Sequence, residues 1–257
     1  MKDQLLKVLS VVGVFLLVKV VMGSISSLFP VEGLDQKYMF IGFLSFIGSI
    51  LTLVILYFWN PIKRAPDHWK SISPLLLVCL VSMGFLGVAL NSFILSFFMD
   101  AHESLLEQTK TLLATGFLGL FNVVVLVPIV EEIVFRRILM ESMLKVSSPA
   151  VAIALSALVF GILHITPVQV LGASCLGLLF GWMYWRVRSI LPSVILHILN
   201  NGFFMYALSQ MEPGSEEKDI TSYWSVHHPY GWAVAGITLV VFIALYSLVE
   251  RLLRCKK

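Results

Sequence analysis

Charge is what this sequence lacks most. Only 13% of its 257 residues are Asp, Glu, Lys or Arg, against about 25% in soluble globular domains. With 58% apolar residues and a mean hydropathy of +0.92, this shortage excludes an ordinary water-soluble domain. Cysteine is scarce: Cys79, Cys175 and Cys255 lie far apart, with no metal-type spacing. Two of them fall in apolar runs, where cysteine serves as a small packing residue. The ending Cys255-Lys256-Lys257 is not a prenylation signal. Internal repeats and low-complexity segments are absent, and no stretch is long and polar enough for a soluble domain.

What is there instead is a series of apolar runs with short polar breaks, the pattern of bilayer-spanning helices. Each such helix needs roughly 20 apolar residues and satisfies its backbone hydrogen bonds internally. The pattern predicts an all-α polytopic membrane protein of about eight spans, near 5–28, 38–60, 73–98, 113–138, 148–166, 168–185, 189–208 and 230–250. The first run is too long for a signal h-region and no small-residue cleavage site follows it, so it reads as a retained helix. Residues 210–229 read as an external loop, and 100–110 as a surface helix. With both termini cytoplasmic, 14 Lys and Arg fall on inside segments and 3 on outside loops, with Lys19 in the first span. That is the sense of the positive-inside rule. Three regions are expected within one integrated membrane domain: 1–112, with three helices; 113–208, the core carrying the chemistry; and 209–257, an external loop and the last helix.

Ionisable side chains inside these runs stand out, because a mid-helix Asp or Lys costs about 2.5–3.5 kcal/mol on insertion scales and usually marks a cavity. Pro128-Ile-Val-Glu131-Glu132-Ile-Val-Phe-Arg136 places adjacent carboxylates in one run. Neighbouring helical residues point about 100° apart, so the two acids divide their work. Glu132 and Arg136 are i, i+4 and can pair. Glu131 has no local partner in the sequence and remains the available base. The bland alternative is an ion-pair cluster anchoring a helix at the membrane edge.

Phe160-Gly-Ile-Leu-His164 puts a histidine in a second apolar run. A lone histidine of this kind is more often a hydrogen-bonded packing residue. Residues 131 and 164 are, however, equidistant from a turn between Ser147 and Ser148. Antiparallel helices about that turn would set Glu131 and His164 at one depth, provided the fourth span continues through 139–145. Phe160, one turn before His164, would wall the site from lipid. His197-Ile-Leu-Asn200-Asn201 supplies a third cluster, with His197 and Asn201 on one helix face and Asn200 pointing elsewhere. Asparagines also act as interhelical glue. Lys19 has no assignable role beyond snorkelling or an unnamed partner.

A carboxylate and a histidine at one level can activate water as a general base. A second histidine and an asparagine can stabilise an oxyanion. The same four residues, Glu131, His164, His197 and Asn201, could instead hold a divalent metal such as zinc, although asparagine is an uncommon zinc ligand. Other hydrolytic plans lack their residues. There is no zincin histidine pair, no nucleophile elbow, no pair of membrane aspartates, and no intramembrane serine with a placed histidine.

Taken in order, Glu131-Glu132-xxx-Arg136, Phe160-xxx-His164 and His197-xxx-Asn201 resemble the three motifs of the CAAX-processing and bacteriocin-processing (CPBP, or Abi) family of intramembrane proteases, which includes the type II CAAX prenyl endopeptidases. The resemblance is concentrated in 113–208. It implies a helical bundle with a conical cavity open to the cytosol. In it Glu131 and His164 would activate water, His197 and Asn201 would form the oxyanion site, and Glu132 and Arg136 would orient the site. The family is described both as metalloproteases and as glutamate-dependent proteases, so a metal stays open. The implied partners are the lipid bilayer and a prenylated or hydrophobic peptide or protein, with no nucleic acid. The expected location is the cell membrane of a prokaryote, the endoplasmic reticulum membrane being the alternative. Two competing readings are a non-catalytic immunity or scaffold protein of the same fold and a proton-coupled transporter. The transporter lacks the inverted repeats such folds carry.

Overall fold

Continuous apolar segments broken by Pro, Gly and polar residues fold as helices throughout, with no strand among the described residues. The computed structural model describes residues 2–28, 33–59, 72–98, 111–164, 166–209, 226 and 228–254. The principal helices there are α1 (Lys2–Leu28), α2 (Leu34–Phe58), α3 (Pro74–Leu95), α4 (Gly116–Met143), α5 (Pro149–Ile162), α6 (Pro167–Val187), α7 (Leu191–Ser209) and α8 (Gly231–Arg254). One falls on each expected run. Six of them (α1, α2, α3, α4, α6 and α8) are long and apolar enough to cross a membrane. With 14 residues, α5 spans only about 21 Å at 1.5 Å per residue. The expected surface helix at 100–110 and nearly all of the loop at 210–229 lie outside the described residues.

Large apolar side chains point outward along these helices. Ile237, Val240 and Ile243 of α8 and Phe43 and Val54 of α2 are exposed. An apolar surface this extensive is untenable in water and ordinary against lipid. The chain is an integral membrane protein.

Two compact units are present, one comprising Met1–Asp67 and Ala101–Ser148 and the other His68–Asp100 and Pro149–Lys257. In the first, α2 and α4 meet through small residues. A Cβ added at Gly42 would lie 2.5 Å from the Thr115 carbonyl oxygen, and one at Gly119 would lie 3.1 Å from the Gly42 Cα. Backbones approach this closely only where side chains are absent, the usual device for joining helices in lipid. In the second unit, Leu80, Met83, Phe180, Met183, Leu196 and Val249 form the heart of a core shared by α3, α6, α7 and α8.

Within that second unit, α5 packs on α6 through Gly177, whose added Cβ would meet the Ala157 Cα at 3.0 Å and the Phe160 ring at 3.3 Å. Gly177→Leu therefore forces the pair apart and pushes on Phe160. Overpacking of this kind costs about 1–3 kcal/mol, so the variant should melt at lower temperature than wild type in detergent. An unchanged melting temperature would show that the contact is not tight.

Two features depart from the sequence-based expectation. First, α5 ends at Ile162, so His164 is not inside a helix. The cause is the next helix start. Thr166 caps α6 in a reciprocal box, its hydroxyl accepting from Gln169 N and the Gln169 side-chain Oε1 accepting from Thr166 N, both at 3.2 Å. Pro167 at the first helical position forbids a continuous helix through Thr166. Second, α4 runs on to Met143, past the expected end near 138, and carries Arg136 and Arg137 as buried residues at 0% and 8% exposure. They are therefore not loop charges, and the remaining asymmetry keeps its direction.

Candidate active site

The acidic cluster is built on an irregular stretch of α4. Asn122–Leu126 and Ile133–Met140 are π-helical, flanking a short α-helical segment, Val127–Glu132. Pro128 lacks an N–H and its ring crowds the preceding turn, which a widened turn relieves. Such π turns recur at functional sites. Here they bracket Glu131 and Glu132.

The division of labour between the two acids has a structural counterpart. Glu132 faces Arg136, with Oε2 3.4 Å from Nε, and both side chains are fully buried. Glu131 is 7% exposed, and its Oε1 lies 3.5 Å from Lys19 Nζ of α1. Sequence reasoning left Lys19 without a role because its partner is 112 positions away. The Lys19 ammonium also sits 4.4 Å from the centre of the Phe15 ring, and Phe15 meets Phe135 edge to face at 5.9 Å.

The second cluster lies in the other unit. Beyond the end of α5, the His164 backbone N–H donates to Gly161 O at 2.9 Å, and Nδ1 is 3.1 Å from Phe160 O. A carbonyl oxygen can only accept, so Nδ1 carries the proton. In the neutral tautomer that donates through Nδ1, Nε2 is the acceptor nitrogen. One of the terminal carbonyls of α5 thus fixes the tautomer of His164. The Phe160 ring touches both histidines edge to face, His164 at 5.2 Å and His197 at 5.9 Å between ring centres. Phe180 covers the other side of His197 at 5.2 Å. His197 is 6% exposed, so its ring is held by aromatic contacts on α5 and α6.

Asn201 lies one turn beyond His197 on α7. Contrary to expectation, Asn200 does not point away from it. Its Nδ2 donates to Asn201 Oδ1 at 3.2 Å, which orients the Asn201 amide and leaves Nδ2 as its donor end. The Thr166-Pro167-Val168-Gln169 cap that fixes the chain just after His164 also went unread, although its Thr-x-x-Gln spacing is a recognisable helix-start signal.

The sequence-predicted residues therefore form two sets. Glu131, Glu132 and Arg136 are together in the first unit, and Phe160, His164, His197 and Asn201 in the second. Within either unit, among the described residues, no three His, Cys, Asp or Glu side chains group as metal ligands. A catalytic zinc takes three protein ligands and an open position. By donor chemistry two imidazoles and a carboxylate suit it, and an asparagine amide does so poorly.

Comparison with known proteins agrees with the motifs. A protein of Bacillus subtilis (strain 168) described as "Putative membrane peptidase YdiL" is 30% identical over 86 residues, a stretch covering 34% of this chain and 34% of that protein. The chain thus matches about a third of the length of this curated relative. No solved structure matches it. Residues 112–203 match the family described as type II CAAX prenyl endopeptidase Rce1-like, and that span contains all seven residues of the two sets. The central segment that carries the three motifs is thus the part of this membrane protein that is similar to the Rce1-like family.

Proposed function

We propose that the chain is an intramembrane endopeptidase that hydrolyses a peptide bond in a prenylated or otherwise hydrophobic peptide or protein. The observation that carries this reading is Glu131 itself: a nearly buried carboxylate in an apolar helix, with a lysine ammonium against one of its oxygens. Burial of that kind is unfavourable unless it serves a purpose. Both the Rce1-like match over 112–203 and the peptidase description of the Bacillus subtilis relative support proteolysis as that purpose.

In the proposed reaction Glu131 accepts a proton from a water that His164 Nε2 helps to orient. The resulting hydroxide adds to the scissile carbonyl carbon. The carbonyl oxygen becomes an oxyanion, which His197 and the Asn201 Nδ2 group stabilise with hydrogen bonds. The tetrahedral species then expels the amine. The C–N bond breaks, and the proton taken by Glu131 passes to the leaving nitrogen. Glu132 and Arg136 hold the helix turn that presents Glu131. Were a divalent metal bound, Glu131, His164, His197 and Asn201 would be its candidate ligands, and it would supply a Lewis acid.

An apolar outer surface supports delivery of the substrate from the bilayer. The excess of Lys and Arg on one set of loops supports cytoplasmic termini, with the site reached from the cytoplasmic side of the cell membrane.

Asn201→Ala tests the oxyanion role. Removal of one such donor typically lowers kcat by about 10²–10³-fold, so the variant should bind substrate normally and turn it over at that reduced rate. Turnover within a factor of a few of wild type would remove Asn201 from the mechanism.

A further inference from the structure

Lys19 lies deep in an apolar helix. It is nine residues before the end of α1 at Leu28, about 14 Å along the axis, beyond the reach of a lysine side chain toward that end. Its side chain is 50% exposed, yet its ammonium turns across to α4 and ends against Glu131 Oε1.

The contacts close into a circuit. Phe15 and Lys19 are i, i+4 on α1, while Glu131 and Phe135 are i, i+4 on α4. The ammonium of Lys19 lies over the Phe15 ring at 4.4 Å. Phe15, 3% exposed, abuts Phe135 edge-on at 89° between ring planes. Lys19 and Glu131 complete the loop at 3.5 Å. A flexible lysine is thereby confined by a cation–π contact and an ion pair at once, both strengthened where water is scarce. Phe15 and Phe135 would hold α1 and α4 in register whatever the charges. What Lys19 adds is a fixed cation on one oxygen of one carboxylate, which sets the orientation of that carboxylate.

We infer that Lys19 is a positioning residue for Glu131, holding its carboxylate by Oε1. This rests on Glu131 being the base. Lys19 lies outside the Rce1-like span of 112–203, so the device belongs to the α1 of this chain rather than to the matched segment.

Lys19→Met, Lys19→Arg and Phe15→Leu are to be compared with Glu131→Gln in the full-length protein in detergent. The substrate is whichever peptide wild type cleaves from a pool of prenylated CAAX peptides and unmodified hydrophobic leader peptides. Misplacement of a reacting group by about 1 Å costs on the order of 100-fold. Lys19→Met should therefore lose about 10- to 100-fold in kcat with KM unchanged, and Phe15→Leu a smaller part of that. Lys19→Arg, which keeps a cation able to lie on an aromatic ring, should recover to within about threefold of wild type.

The melting temperatures of Lys19→Met, Glu131→Ala and the double variant give a second readout that needs no substrate. The two substitutions should be non-additive, because each removes one half of the same pair. Full kcat in Lys19→Met while Glu131→Gln is inactive overturns the inference and leaves the proposed reaction intact. Activity in Glu131→Gln overturns Glu131 as base and the inference with it. Additive melting shifts, or a loss that appears in KM and is not recovered by arginine, overturn the positioning role.

Discussion

Glu131→Gln should leave the protein folded and inactive. Glutamine keeps the size of the side chain and can still accept from Lys19, so the α1–α4 contact survives with a neutral partner. What glutamine cannot do is accept a proton from water. General-base catalysis typically contributes 10²–10⁴-fold, and the loss should lie at or beyond the upper end of about 10⁴ when no other carboxylate takes over. Glu132 is the nearest substitute in sequence, and it is fully buried against Arg136. Expression and melting temperature should stay close to wild type. A Glu131→Gln enzyme with near-normal turnover would show that the base lies elsewhere.

The second large effect is on folding. Arg136→Ala removes the cation from a pair in which both side chains are fully buried. Breaking a buried pair by deleting one partner costs about 3–5 kcal/mol, because a desolvated charge is left behind. Folded yield and melting temperature should fall sharply, and activity with them. Replacing both partners with apolar residues of similar volume, Glu132→Leu with Arg136→Met, removes the charges together and should recover much of the stability. An Arg136→Ala protein that melts like wild type but has lost activity would instead make Arg136 part of the chemistry.

Helix positions were legible in the sequence because one physical variable, apolar length, decides them. The chemistry was partly legible because polar side chains in an apolar run are costly and so conspicuous. Glu132–Arg136 could be read from spacing alone, since i, i+4 contacts are local. Lys19–Glu131 could not, because no local rule joins positions 112 residues apart. His164 was visible as a residue, while its release from the helix was not read, although Thr166-Pro167-Val168-Gln169 encodes the cap responsible. The Asn200–Asn201 contact was hidden for another reason. Helical spacing sets consecutive side chains about 100° apart, but rotation about their side-chain bonds still lets two adjacent amides meet. The π turns around Pro128 likewise arise from strain relief that a periodicity count does not register.

Mass spectrometry of cleavage products tests whether peptide-bond hydrolysis depends on Glu131. Wild type and Glu131→Ala, purified in detergent, are each incubated with a pool of prenylated CAAX peptides and unmodified hydrophobic leader peptides, with and without a chelator. Wild type should form paired fragments whose summed mass exceeds that of the parent peptide by one water, and the variant should form none. Equal formation of those fragments by both proteins would contradict that dependence.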